Sequence, residues 1–200
     1  MLSGDELRTI VQNLPNRPLN GILYRAGLLN AFRTPPQPSA LLSEQRFLHG
    51  YGSSKHGARY TPINGPRAVC FGEDRDGALA ESILTGNLND PMQFPPHIIF
   101  SVKVSLASLL DLGDLTIQQQ LETSEPELVE PWRLKQARGE LVPTQILGKI
   151  VCESGRYQAI RYPSAQLRGH YCVVVFNEHV VAPSFVEIID PDGNLRERIP

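Results

Sequence analysis

Little in this sequence announces a specialised function at first sight. There are three cysteines, Cys70, Cys152 and Cys172, and none falls in a C-x-x-C pair or at metal-ligand spacing from a histidine. Each sits in an apolar stretch, which favours a free thiol acting as a small core hydrophobe. The five histidines, His49, His56, His97, His170 and His179, are scattered, so no metal is expected. Basic residues are not in excess: 19 Lys and Arg face 21 Asp and Glu, for a net charge of −2 and a pI near 6.2. That balance leaves no footprint for direct nucleic-acid binding. No apolar run approaches the roughly 18 residues a membrane span needs. The acidic start, Met-Leu-Ser-Gly-Asp-Glu, lacks the apolar segment of a secretory leader, so a cytoplasmic location is expected. Walker and Rossmann glycine loops are missing, as is the Gly-x-Ser-x-Gly elbow of α/β-hydrolases.

What is present is an ordinary globular composition, 41% hydrophobic and 20% charged. A chain of 200 residues buries roughly 70% of its unfolded surface, so residues 1–200 are expected to form one domain without staples. Residues 1–20 read as an N-terminal helix and linker. Ser3 and Glu6 have capping-box spacing, Leu7, Ile10, Val11 and Leu14 share a side, and Pro15 and Pro18 end the helix. Residues 22–25 form a short strand ending in Arg25. Residues 27–57, with three prolines followed by a Gly, Ser and His-rich stretch, read as a long irregular insertion.

After the turn at Asn64-Gly65-Pro66, residues 67–71 predict a strand. A helix from about Asp74 turns Ala78, Leu79, Ala80, Ile83 and Leu84 toward the core. Residues 98–106 read as a strand, after which Ser105 or Ser108 starts a Leu-rich piece. A helix is predicted over 115–121 and another from Val142 to about Glu153, while 126–136 fits neither pattern clearly. Strands follow at 157–162, 171–176 and 186–190, the second apolar throughout as a central strand would be. The mixed order predicts an α+β fold with a central mixed or antiparallel sheet.

Polar residues mark the ends of these apolar elements. Arg25 closes a strand, Arg59 stands between Ala58 and Tyr60, Glu81 interrupts the apolar Gly77-Ala78-Leu79-Ala80 helix, and Ser164 follows Pro163. Singly, each has a plain explanation: an arginine solvating a strand edge, a glutamate on a wet helix face, a serine starting a turn. In order, Arg59, strand, turn, Glu81 helix and then Pro163-Ser164 resemble the RES domain, named for its arginine, glutamate and serine. The likeness runs from Leu23-Tyr24-Arg25-Ala26-Gly27 through Gln145-Ile146-Leu147-Gly148 and residues 160–165 to residues 171–177. One departure stands out: Phe71 occupies the strand position where the family usually has a tyrosine.

The resemblance implies an ADP-ribosyltransferase-like fold and an activity that degrades NAD, as a glycohydrolase or phosphorylase. By that likeness Glu81, Arg59 and Ser164 are the catalytic residues, and Arg25, Tyr60, Phe71 and Asn177 bind substrate. NAD is then a substrate, with no resident cofactor. The implied partners are a cognate antitoxin carrying a DNA-binding domain and a second copy of the chain. The chemistry fits the residue types. Guanidinium forks suit phosphate oxygens, aromatic rings offer stacking faces, and a carboxylate stabilises the positive charge that develops as a sugar–nitrogen bond breaks. Nicotinamide leaves neutral, so no paired carboxylate is required. Two alternatives stay open: a catalytically impaired nucleotide-binding module, suggested by Phe71, and mono-ADP-ribosyl transfer to another molecule.

Overall fold

The computed structural model describes residues 1–28, 47–83, 96–191 and 197–200. Residues 29–46, most of the expected insertion, and Leu84 lie outside the described residues. The fold is α+β, with seven strands among the described residues.

Helix α1 (Gly4–Asn13) buries Leu7 and Val11, with Leu14 beneath its end, although Ser3 makes no side-chain cap. Strand β1 (Arg17–Leu28) is far longer than expected. It includes Pro18, and the register with its neighbour shifts between Arg17 and Leu19, where proline offers no N–H to the ladder. Part of the expected irregular stretch is helical: α2 (Tyr51–His56) docks on β2 (Ala68–Gly72) as the Ser53 hydroxyl accepts the Ala68 N–H at 3.0 Å.

Helix α3 (Arg75–Ile83) leads to β3 (His97–Asp111). That strand runs through Ser105 and Ser108 instead of stopping there, because it is hydrogen-bonded along both edges. One edge is covered by β1. The other is shared by β6 (Phe185–Ile189) and, in parallel, β4 (Ala159–Pro163). Short helices α4 (Leu115–Gln120), α5 (Glu125–Leu128) and α6 (Trp132–Ala137) and the longer α7 (Pro143–Glu153) fill the crossover between β3 and β4. Strand β5 (Tyr171–Phe176) pairs with β4 and β2, and β7 (Arg198–Ile199) pairs with β6.

The path β1-β2-β5-β4-β3 returns to β1, so five strands close into a circuit with β6 and β7 hanging from β3. Alternation along β5 then makes two cores. Val173 and Val175 face the interior of the circuit with Phe71, Phe100 and Val102. Cys172, Val174 and Phe176 face α1 and α7 with Leu7, Val11, Leu147 and Val151. A strand buried on both faces must be apolar at every position, which is why its sequence reads as one run.

Three contacts fix the layers. The Tyr157 hydroxyl reaches the Val11 and Leu14 carbonyls at 3.0 and 2.8 Å, satisfying helix-end groups of α1. Arg161 of β4 grips Glu73, just before α3, through two bonds of 2.6 and 3.0 Å, and Asp111 of β3 at 3.0 Å. Asp111 in turn holds Arg17 of β1 at 2.6 Å. Finally, α7 crosses the backbone of Tyr60 so closely that a Cβ on Gly148 would lie 2.0 Å from the Tyr60 oxygen. Helix propensity alone would make Gly148→Ala stabilising by about 1 kcal/mol. The backbone clash should reverse the sign and cost roughly 1–3 kcal/mol. Thermal unfolding of that variant checks the packing, and an unchanged or raised midpoint would contradict it.

Candidate active site in a cleft lined by three arginines

Strand register builds the floor of a cleft of about 340 Å³. Cys172 pairs with Gly72 of β2 on one side and Tyr162 of β4 on the other, so these three positions form a row across the sheet. Gly72 carries no side chain, and α3 takes the space: a Cβ there would lie 2.6 Å from the Ala78 nitrogen. Ala78 and Glu81, three residues apart, share a face of α3 and both line the cleft.

Glu81 is held firmly. Its Oε1 accepts the Ser164 hydroxyl at 2.7 Å and the Ala165 N–H at 3.1 Å. Ser164 is buried, and its Oγ accepts the Gln166 and Leu167 N–H groups at 3.2 and 3.1 Å. A hydroxyl has two acceptor lone pairs and one proton. With both lone pairs engaged, the proton is left for Glu81. The same loop also grips the other end of α3, where His170 Nδ1 lies 2.7 Å from Asp74 Oδ2. Asp74 Oδ1 accepts the Gly77 N–H at 2.7 Å. Burial pushes the Asp74 carboxyl up, but the Gly77 bond and His170 outweigh it and hold it below the usual carboxylate range.

Two expected arginines reach the cleft from separate elements. Arg25 of β1 donates through Nη1 to the Cys70 carbonyl at 3.0 Å, while its Nε is buried with no partner among the described residues. Burial lowers its pKa, against the pull of Cys70 and Glu197. Arg59 is 8% exposed and donates through Nη1 to the Leu128 and Glu130 carbonyls at 2.9 and 2.8 Å. Arg25, Arg59 and Glu81, distant in the chain, thus surround one cavity.

The remaining candidates fall elsewhere or act indirectly. Ser164 does not line the cleft and reaches it through Glu81. Tyr60 follows Arg59 in the tight turn closed by the Ala58–Thr61 bridge, and its side chain packs into the core, with its ring centroid 4.6 Å from that of Tyr162. Its hydroxyl is buried without a partner. Phe71 borders the cleft, but alternation along β2 packs its ring in the interior core at 2% exposure. Asn177 begins a 3-10 turn after β5 and donates to the Leu48 carbonyl, away from the cleft lining. His179 lies in a separate hollow, where its Nε2 is 3.4 Å from the Cys152 Sγ.

Sequence reasoning missed Tyr24, Tyr162, Trp132 and Arg133, all of which line the cleft. Period-two alternation through residues 157–162 would have put Tyr162 on one face with Ile160. Nothing comparable marked Trp132 and Arg133, in a stretch of mixed pattern. Among the described residues no group of three His, Cys, Asp or Glu is placed to hold a metal, and no helix is long and apolar enough to cross a membrane.

The RES domain profile matches residues 30–196. The chain belongs to the RES domain family. A search of curated protein sequences finds no match. Among solved structures, one chain in the crystal structure of the M. tuberculosis MbcT–MbcA toxin–antitoxin complex aligns over 94% of this chain and 91% of its own, with a TM-score of 0.65 and 14% identity. At that identity the likeness is one of fold, and the fold of this RES domain is ADP-ribosyltransferase-like.

The cysteines of the RES domain make poor nucleophiles. Burial pushes the Cys152 thiol up to about 11, with Glu178 and Glu153 adding to the shift. Burial also raises Cys172 and Cys70 on the cleft floor, despite Arg25 beside Cys70. The thiolate is the reactive form. A chromogenic disulfide reagent at neutral pH should therefore label none of the three until the protein is unfolded, and rapid labelling of the native protein would contradict the assignment.

Proposed function

We propose that this RES domain, taken as one unit over residues 1–200, cleaves the nicotinamide–ribose bond of NAD and passes the ribosyl group to water or phosphate. The observation that carries the reading is the convergence of Arg25, Arg59 and Glu81 on one cleft. NAD is the substrate in this reading, and no resident cofactor is invoked. Guanidinium donors suit its pyrophosphate, since charge-assisted bonds to phosphate oxygens are roughly twice as strong as neutral ones.

Glu81 is the proposed catalytic carboxylate. Bond cleavage builds positive charge on the ribose, and a fixed carboxylate nearby accepts hydrogen bonds from its hydroxyls and stabilises that charge. Ser164 and the Ala165 N–H hold Oε1 before substrate arrives, so little reorganisation is needed during reaction. Ser164 is accordingly a positioning residue. Departure of neutral nicotinamide requires no acid, consistent with one carboxylate among the described residues that line the cleft.

By family likeness we further propose a cytoplasmic toxin role, in which NAD loss is the toxic event, a cognate antitoxin restrains it, and two copies of the chain associate. The complex of the structural neighbour, a toxin with its antitoxin, motivates the partner.

Mass spectrometry of NAD incubated with the purified protein tests the activity. Free nicotinamide should appear, with ADP-ribose in phosphate-free buffer or its 1-phosphate when phosphate is the acceptor. Intact NAD under both conditions would remove the enzyme reading, and label from NAD retained on a macromolecule would redirect it to mono-ADP-ribosyl transfer. Glu81→Gln should lower turnover by about 10²–10³-fold. Arg59→Ala should chiefly raise KM, and a glutamine variant with wild-type turnover would refute the role given to Glu81.

A further inference from the structure

A third arginine shares the cleft. Arg133, in the first turn of α6, lines the same cavity as Arg25, Arg59 and Glu81. Its guanidinium lies 4.5 Å from the ring centroid of Trp132, which is 8% exposed and also lines the cavity. The side chain is exposed and makes no hydrogen bond or ion pair among the described residues. Arg59 reaches the same stretch, since its Nη1 is bonded to the Leu128 and Glu130 carbonyls just before α6. Only Nη1 of Arg59 is engaged there, which leaves Nε and Nη2 without partners among the described residues.

Charge makes the arrangement costly when nothing is bound. Among the described residues, three guanidinium groups and one carboxylate line the cavity, a local excess of positive charge on a chain with net charge −2. Partial desolvation against the cleft wall lowers the pKa of the exposed Arg133 and repulsion from Arg59 lowers it further, while Glu81 and Cys70 pull the other way. By contrast, Arg8, Arg17, Arg138, Arg161 and Arg198 each have a carboxylate within 4.0 Å. Stacking on Trp132 orders the Arg133 fork without using its donors, so they remain available.

We infer that Arg133 and Arg59 together form a phosphate-binding subsite in the cleft, filled by the pyrophosphate of the dinucleotide or by a free phosphate ion. The first source rests on the NAD reading above. The second does not.

The test uses the full chain and compares Arg133→Ala with Arg138→Ala. The second variant removes the same charge from an exposed arginine paired with Glu140, outside the cleft. If the dinucleotide supplies the phosphate, Arg133→Ala raises KM for NAD about tenfold, as loss of one charge-assisted contact predicts. It leaves kcat/KM for nicotinamide riboside, which has no pyrophosphate, unchanged. If free phosphate fills the subsite, KM for NAD stays put and the phosphate concentration giving half-maximal rate rises by a similar factor. Arg138→Ala changes neither quantity. Should the wild-type chain leave NAD intact, the enzyme reading fails by itself, and calorimetric titration with inorganic pyrophosphate and phosphate decides the subsite. Wild-type binding that weakens at least fivefold in Arg133→Ala, but not in Arg138→Ala, supports it. Equal behaviour of wild type and Arg133→Ala, or equal losses in the two variants, overturns it.

Discussion

A serine hydroxyl with both lone pairs occupied has one proton left to give, and Ser164 directs that proton to Glu81. Much of the cleft depends on this arrangement. It requires the loop after β4 to turn so that Gln166 and Leu167 present their N–H groups to Oγ. It also requires α3 to lie against β2 closely enough for Glu81 to reach, which Gly72 permits by having no side chain. His170 and Asp74 secure the far end of the same helix. Glu81 therefore sits on a helix held at two points by one loop, and its carboxylate is oriented without any ligand contact. Arg161 supports this geometry from behind, joining β4, the start of α3 and β3 through Glu73 and Asp111.

The fold was legible where one physical requirement dominated the sequence. Strand β5 is buried on both faces and therefore reads as a continuous apolar run, and α1 shows its buried side through Leu7, Val11 and Leu14. Where two requirements competed, reading was harder. Pro18 signals an interruption, yet β1 passes through it because the missing N–H is accommodated by a register shift. The Ser and Gly content of residues 50–57 suggests a loop, but Ser53 bonds to the backbone of Ala68 and docks a short helix there. The Leu-rich end of β3 looked like a new element because its partners, β1, β4 and β6, come from distant parts of the chain.

The site was legible to the extent that ordered family motifs carried it. Arg25, Arg59 and Glu81 meet at one cleft, and Ser164 touches it through Glu81. Tyr60 and Phe71 show what residue type cannot convey. Both are aromatic and adjacent to cleft residues in sequence, yet chain direction and strand alternation send their rings into the two cores. Arg133 illustrates the converse. Its position among short helices gave no periodic signal, and only tertiary packing brings it beside Arg59.

The strand circuit closes between β1 and β2 through a single residue pair, Tyr24 with Gly72, and both residues border the cleft. The barrel wall thus has its thinnest seam at the mouth of the cavity. A ligand touching Tyr24 or Arg25 of β1 on one lip and Phe71 or Gly72 of β2 on the other would span that seam and favour its closed form. Binding of such a ligand would then be thermodynamically linked to closure of the barrel and would raise its stability.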